Sequence, residues 1–176
     1  GYEPRGELVP VADGGPPPPR ALVEEALTIG ALANRAGLTE REGRWVAVGD
    51  PTEAALVVAA RKAGIDPVRL RERRPERGTV PFSSERGWMA TFHPDADGRG
   101  LVALVKGAPR RVIERCARVA MPDGERQLDD AERHALLERN HDLAARGHRV
   151  LALARGAVGA ADEASVRDLD FVGLVG

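Results

Sequence analysis

Residues 79 to 105 read TVPFSSERGWMATFHPDADGRGLVALV, and this stretch decides the fold class. Its three apolar segments predict strands at Thr79–Phe82, Trp88–His93 and Leu101–Val105. The segment Asp95-Ala96-Asp97-Gly98 predicts the hairpin connection between the last two strands, because Asp and Gly are common in tight turns. Consecutive strands joined by tight turns indicate an antiparallel sheet.

Apolar side chains at helical spacing surround these strands. They predict helices at 21–36, 51–63, 109–119 and 129–146, with Asp50 and Asp129 as N-caps. Apolar runs predict further strands at 45–48, 149–154 and 171–175. The polar stretch 66–78 is ambiguous. The Gly- and Pro-rich residues 13–19 predict an extended link. The whole pattern predicts an α+β fold, in which a twisted antiparallel sheet is flanked by helix pairs.

The composition indicates one globular domain. A chain of 176 residues suffices for a single core, and 43% of the residues are hydrophobic. A formal net charge of −1 does not indicate binding to nucleic acid or to an anionic membrane. No apolar run is long enough to cross a bilayer. The chain begins without Met and ends within a strand-like run. We therefore expect a single domain over residues 1–176, excised from a larger protein and monomeric by itself.

Self-contained catalytic machinery is not predicted. The sequence has no Gly-x4-Gly-Lys-Ser/Thr phosphate loop, no Gly-x-Gly-x-x-Gly after a strand and no Gly-x-Ser-x-Gly elbow. Its histidines lack the spacing of metal ligands. We interpret the single cysteine, Cys116, as a small buried residue rather than a nucleophile. We expect no catalytic residue and no metal site in this chain.

Four segments carry the functional information. They are Gly49-Asp50-Pro51-Thr52-Glu53-Ala54-Ala55-Leu56, Pro81-Phe82-Ser83-Ser84-Glu85-Arg86 followed by Met89, Val105-Lys106-Gly107-Ala108-Pro109 with Cys116 downstream, and Gly147-His148-Arg149-Val150-Leu151-Ala152-Leu153-Ala154. Each one alone also has a purely structural interpretation. Glu53 could only complete a capping box with Asp50, and Phe82 could be a core aromatic. Lys106 and Arg149 could be surface charges.

Together the four segments resemble, in order and rough spacing, the nucleotide-binding (N) domain of P-type cation-transporting ATPases. The type II pumps, which include the calcium pumps, are the most similar. Leu27–Asn34 is similar to the family's helix before the Gly-Asp-Pro-Thr-Glu segment, and residues 169–176 are similar to its return into the phosphorylation domain. The resemblance implies that the ligand is ATP, bound as Mg-ATP in the full-length protein.

The resemblance also implies roles for individual residues. Phe82 matches the aromatic side chain that stacks on adenine, and Glu53 matches the acid near the adenine amino group. Lys106 matches the lysine of the adenine cavity, Gly107 lets the backbone approach the ligand, and Arg149 matches the arginine that reaches the phosphates. The expected nucleotide-binding set is completed by Ser84 and by the apolar residues Met89 and Leu151.

Two positions depart from the family pattern. Gly87 follows Arg86 where the family often carries a lysine, and Arg110 follows Pro109 where an acid is usual. One expected cationic contact is therefore missing. The resemblance supports the adenine site more strongly than the phosphate contacts.

The resemblance implies a division of labour within a whole pump. The phosphorylated aspartate of the family lies in an Asp-Lys-Thr-Gly-Thr segment, which this sequence lacks. The domain is expected to hold adenine and to present the γ-phosphate to that aspartate, working with the phosphorylation, actuator and transmembrane domains of its chain. We expect it on the cytoplasmic side of a bacterial plasma membrane. Two alternatives stay open: a freestanding nucleotide-sensing domain, and an interaction module that has lost ATP binding.

Overall fold

The computed structural model describes residues 2–10 and 17–176. This part of the chain contains five helices: α1 Arg20–Leu32, α2 Pro51–Lys62, α3 Pro67–Arg73, α4 Pro109–Ile113 and α5 Asp130–Ala145. It also contains nine strands: β1 Gly37–Arg41, β2 Arg44–Val48, β3 Gly78–Val80, β4 Trp88–Pro94, β5 Leu101–Gly107, β6 Cys116–Met121, β7 Gly124–Gln127, β8 Leu151–Val158 and β9 Leu169–Val175.

Seven strands form one sheet, in the order β3-β4-β5-β8-β9-β6-β7, and β1 pairs with β2 in a separate hairpin. Neighbours in the large sheet are antiparallel, except that β6 and β9 pair in parallel. Parallel neighbours need a long connection, and here β7, α5 and β8 lie between them in the sequence. The α+β prediction is confirmed, and the parallel pair is an addition to the predicted antiparallel sheet.

Helices cover both faces of this sheet. On one face, Trp88 and Phe92 of β4 join a buried cluster with Val112 and Ile113 of α4, and α5 packs beside α4. Side chains alternate between the two faces along each strand. On the opposite face, Leu104 of β5 and Leu153 of β8 pack with Ile29 and Leu32 of α1. The second helix, α2, packs against α1 through Ala31 and Ala60.

The predicted helix at 109–119 is wrong in its second half. The helix ends at Ile113, and residues 116–121 form β6 between β9 and β7. Pairing with two strands therefore outweighs the local helical spacing. Cys116 is only 2% exposed, as predicted, and burial raises the pKa of its thiol to about 12.

Other differences have local causes. Strand β3 ends at Val80 rather than at 82, because Pro81 has no backbone N–H to donate. The first helix ends at Leu32, four residues before the predicted end at 36. Asp66 caps α3 within the stretch that the sequence left ambiguous. Of the predicted link at 13–19, residues 13–16 lie outside the described residues, and residues 17–19 have no regular secondary structure.

Within residues 2–10 and 17–176, no helix combines the length and the apolar character that a membrane span requires.

Candidate functional site

A cavity of about 420 Å³ opens where the first turn of α2 faces one end of β4, β5 and β8. The segments that line it come from distant parts of the sequence. They contribute Arg35, Gly49, Asp50, Thr52, Glu53, Pro81, Phe82, Met89, Lys106, Gly107, Arg149 and Leu151. Seven of the eight predicted site residues belong to this lining, and Ser84 does not.

The strand register brings the sheet residues of this set together. Met89 of β4 lies directly opposite Lys106 of β5, and Lys106 lies opposite Leu153 of β8. Leu151 precedes Leu153 by two residues, so its side chain points to the same face of the sheet. The wall of the cavity is therefore a continuous patch across three adjacent strands.

The first turn of α2 frees the Glu53 carboxylate for this cavity. Asp50 caps the helix: its Oδ1 accepts hydrogen bonds from the backbone N–H groups of Thr52 (2.8 Å) and Glu53 (3.0 Å). The backbone bond from Glu53 is the main reason why the pKa of Asp50 is lowered. The Glu53 side chain bonds elsewhere, to Lys106 and to the backbone N–H of Arg35. The capping-box interpretation of Glu53 is therefore wrong for this helix.

Glu53 and Lys106 form a shielded ion pair in the cavity wall. Lys106 Nζ donates to Glu53 Oε1 at 2.7 Å, and the two side chains are only 6% and 17% exposed. Burial lowers the pKa of Lys106, and the hydrogen bond from Lys106 to Glu53 opposes this shift. Lys106 is therefore not a surface charge, and the pair fixes both side chains at the cavity.

The buried side chain of Asn34 holds the Glu53 segment in place. Asn34 Nδ2 donates to the carbonyl oxygens of Glu53 and Gly30, each at 2.8 Å. Its Oδ1 accepts from the backbone N–H of Ala36 at 2.7 Å. One amide thus joins the end of α1, the start of α2 and the approach to β1.

Phe82 lies on the rim of the cavity, between β3 and β4. The residue is 60% exposed, which is unusual for a large apolar residue. The core-aromatic interpretation of Phe82 is therefore wrong. An open aromatic face next to a partly polar cavity is suited to stacking against a planar ligand.

Two other predicted residues have different environments. Arg149 is exposed at the mouth of the cavity, just before β8, and its charge contributes to the lowered pKa of Asp50. Ser84 is exposed in the turn between Phe82 and β4, outside the lining.

Gly107 is required by the neighbouring strand. A Cβ at this position would lie 2.5 Å from Trp88 Cα, which is closer than real Cβ contacts allow. Close packing between β5 and β4 therefore explains this glycine without a ligand.

Sequence reasoning missed one lining residue outside the four segments, Arg35. Its guanidinium forms two hydrogen bonds of 2.8 Å with Glu76, which raise the pKa of Arg35. No motif surrounds Arg35, so no local signal points to it. The other unexpected residues (Gly49, Asp50, Thr52 and Pro81) lie inside segments already singled out.

Comparison with known proteins identifies the family. The sequence model described as "P-type ATPase, cytoplasmic domain N" matches residues 22–176. A "Cation-transporting ATPase pma1" of Synechocystis is 37% identical over 90% of this chain and 18% of its own length. A "Probable cation-transporting ATPase F" of Mycobacterium tuberculosis is 42% identical over 78% of the chain and 15% of its own.

A "Calcium-transporting ATPase" of Bacillus subtilis is 31% identical over 100% of this chain and 20% of its own length. The chain thus spans a fifth or less of the length of these relatives. With a family match over residues 22–176, the chain belongs to the P-type ATPases and corresponds to their cytoplasmic domain N.

Proposed function

We propose that this chain binds ATP, with the adenine in the cavity between α2 and strands β4, β5 and β8. One observation carries the proposal: seven residues expected from four separate segments line a single cavity of about 420 Å³. Pockets for small molecules commonly measure about 300–1,000 Å³, so a nucleoside is an appropriate occupant.

The lining offers complementary contacts for each part of adenine. The exposed ring of Phe82 offers a stacking surface, and stacking of a base on an aromatic side chain contributes about 1–3 kcal/mol. A carboxylate has about four lone-pair sites, so Glu53 would still accept from the adenine amino group while it bonds Lys106 and Arg35. Met89 and Leu151 would contact the apolar faces of the base.

The phosphates have fewer partners in this chain. Arg149 at the cavity mouth would reach them. Gly87 supplies no cation, and Arg86 does not line this cavity. We therefore expect weak binding by the 176-residue chain, with a Kd on the order of millimolar, which corresponds to about −4 kcal/mol.

In the full-length protein the domain would present the γ-phosphate of Mg-ATP to an aspartate in another domain. The relatives' names as cation-transporting ATPases support a role in cation transport. The phosphorylation domain would hold most of the Mg²⁺ ligands, so the chain by itself would bind ATP without hydrolysing it. Bacterial relatives and the family description as a cytoplasmic domain support a place at the cytoplasmic face of a bacterial plasma membrane.

Titration of ATP into the ¹⁵N-labelled chain tests the binding site. We expect saturable amide shifts clustered around Glu53, Phe82, Lys106 and Arg149, and a Kd at least about fivefold higher for Phe82→Ala, from the loss of stacking. Met121→Ala is the matched control, because Met121 is another exposed apolar side chain (42%) outside the cavity.

Two outcomes favour the alternatives. An absence of shifts at several millimolar ATP would favour an interaction module that has lost nucleotide binding. Normal ATP binding, in a parent sequence that has neither transmembrane runs nor an Asp-Lys-Thr-Gly-Thr segment, would favour a freestanding nucleotide sensor.

A further inference from the structure

The stacking residue Phe82 is not held by packing of its own ring, since 60% of its surface is exposed. It lies in a connection without regular secondary structure between β3 and β4. A base stacks more strongly on a ring whose backbone is already ordered, because ordering a mobile segment on binding opposes it. A contact outside the ring that orders this connection would therefore favour stacking.

Arg86 makes that contact from both sides of Phe82. Its Nη1 donates to the carbonyl oxygen of Pro81 at 2.8 Å and to Ser83 Oγ at 3.3 Å. These two groups belong to the residues immediately before and after Phe82. The Arg86 backbone N–H also donates to Ser83 Oγ, at 3.2 Å, which closes the turn.

The same guanidinium is anchored to the body of the domain. Arg86 Nη2 donates to Glu163 Oε2 at 2.6 Å, and Glu163 lies in the loop between β8 and β9. The guanidinium also lies 5.3 Å from the ring centroid of Trp88, which is 1% exposed at the start of β4. The Arg86 side chain is only 21% exposed, so these contacts immobilise it.

Arg86 is held away from the cavity that contains Glu53 and Lys106. It lines a second cavity, with Trp88 and Glu163, that is separate from the cavity holding Glu53 and Lys106. The following residue, Gly87, has a φ of +75°, and its N–H donates to the Ser83 carbonyl at 2.7 Å. A turn of this shape directs Arg86 towards Glu163.

We propose that Arg86 is a positioning residue for nucleotide binding, which fixes the backbone on both sides of Phe82 and anchors it to Glu163. The inference rests on the proposed function only for the statement that Phe82 stacks on adenine. The ordering of the turn by Arg86 is a property of the free chain. The two statements can therefore be tested separately.

The first test measures ATP affinity in a double-mutant cycle of Arg86→Ala and Phe82→Ala. We expect Arg86→Ala to raise the Kd about fivefold when Phe82 is present, the size expected when one side chain must be ordered on binding. In the Phe82→Ala background the same change should have less than a twofold effect. Arg110→Ala is the matched control, because Arg110 is an exposed arginine that also pairs with a glutamate, Glu114.

The second test uses the chain without nucleotide. Backbone ¹⁵N order parameters for residues 82–86 should fall in Arg86→Ala, from about 0.85 to below about 0.6, and should not change in Arg110→Ala. Glu163→Gln provides a milder variant, because Glu163 is 51% exposed and its replacement leaves the core intact. It should lower the same order parameters by a smaller amount.

The outcomes distinguish the two proposals. Unchanged order parameters in both Arg86→Ala and Glu163→Gln, or equal effects of Arg86→Ala on Kd with and without Phe82, would overturn the role of Arg86. If Phe82→Ala leaves ATP binding intact while the order parameters fall as expected, the stacking role of Phe82 is wrong and the ordering of the turn by Arg86 stands.

Discussion

At the scale of single residues, Glu53 and Lys106 form a shielded ion pair in the wall of the cavity. The Lys106 side chain is 6% exposed, and a charge shielded from water in this way needs a partner. Removal of one partner from a buried pair leaves the other charge uncompensated. We therefore expect the pair to affect folding as well as the proposed ligand binding.

We expect Glu53→Gln to lower the free energy of unfolding by about 3 kcal/mol at pH 7. Burial already lowers the pKa of Lys106, and the loss of the carboxylate should lower it further. Between the folded-state pKa of Lys106 and the ordinary value of 10.5, the unfolded chain binds more protons than the folded chain, so the free energy of unfolding rises with pH. This pH range is wider in Glu53→Gln, because its folded-state pKa is lower. The difference between wild type and Glu53→Gln should therefore shrink from pH 7 to pH 9.5.

Urea unfolding at the two pH values measures this difference. Glu24→Gln serves as the control, because Glu24 forms an exposed ion pair with Arg20 and should have little effect at either pH. If the loss of unfolding free energy in Glu53→Gln stays constant with pH, it does not arise from a charged Lys106 left without its partner.

Gly107 supports a second prediction at this scale. Gly107→Ala should destabilise the chain by about 1–3 kcal/mol, because the new Cβ would lie 2.5 Å from Trp88 Cα. Gly37→Ala is the matched control, since a Cβ at this strand position meets nothing within 4 Å. Thermal or urea unfolding of the two variants checks the prediction, and similar stabilities for both would refute the close approach of β4 and β5.

At the scale of elements, Asn34 joins three of them near the cavity. Asn34→Ala would leave the carbonyl oxygens of Gly30 and Glu53 and the N–H of Ala36 without this partner. We expect a loss of about 2–3 kcal/mol in unfolding free energy, because buried backbone groups are costly to leave unpaired. Asn34→Asp keeps the acceptor but removes the donors, so it should also destabilise. A loss below about 0.5 kcal/mol in both would show that the junction does not depend on this amide.

The helices that begin with clear N-cap residues were predicted well from the sequence. The N-caps Asp50 and Asp129 and the residues that follow them gave α2 and α5 correctly. Strand β7 was missed because its Gly-Glu-Arg-Gln sequence is fully exposed and carries no apolar alternation. Strand β6 was missed because its partners, β7 and β9, are defined only by the tertiary structure.

The candidate site was more predictable than these two strands. Its segments combine turn and cap residues with chemically distinctive side chains such as Phe82 and Lys106, so they stand out locally. Arg35 was not predictable, because it reaches the cavity only through its bonds to Glu53 and Glu76. The anchoring of Arg86 by Glu163 spans 77 residues and has no local signal.

At the scale of the whole molecule, the large sheet brings distant segments of the sequence together around one cavity. Strands β4, β5 and β8 lie side by side, and α2 approaches their ends from the face covered by α1. The charged pair, the exposed ring and Arg149 therefore meet at one edge of the domain. We propose that adenine occupies this edge.

Intermolecular nuclear Overhauser effects test that claim most directly. In the 176-residue chain with several millimolar ATP, we predict contacts from the adenine H2 and H8 protons to the Phe82 ring and to the methyl groups of Met89 and Leu151. Contacts of adenine with Trp88 in the second cavity, or none with Phe82 in a chain that demonstrably binds ATP, would contradict the assignment of this cavity as the adenine site.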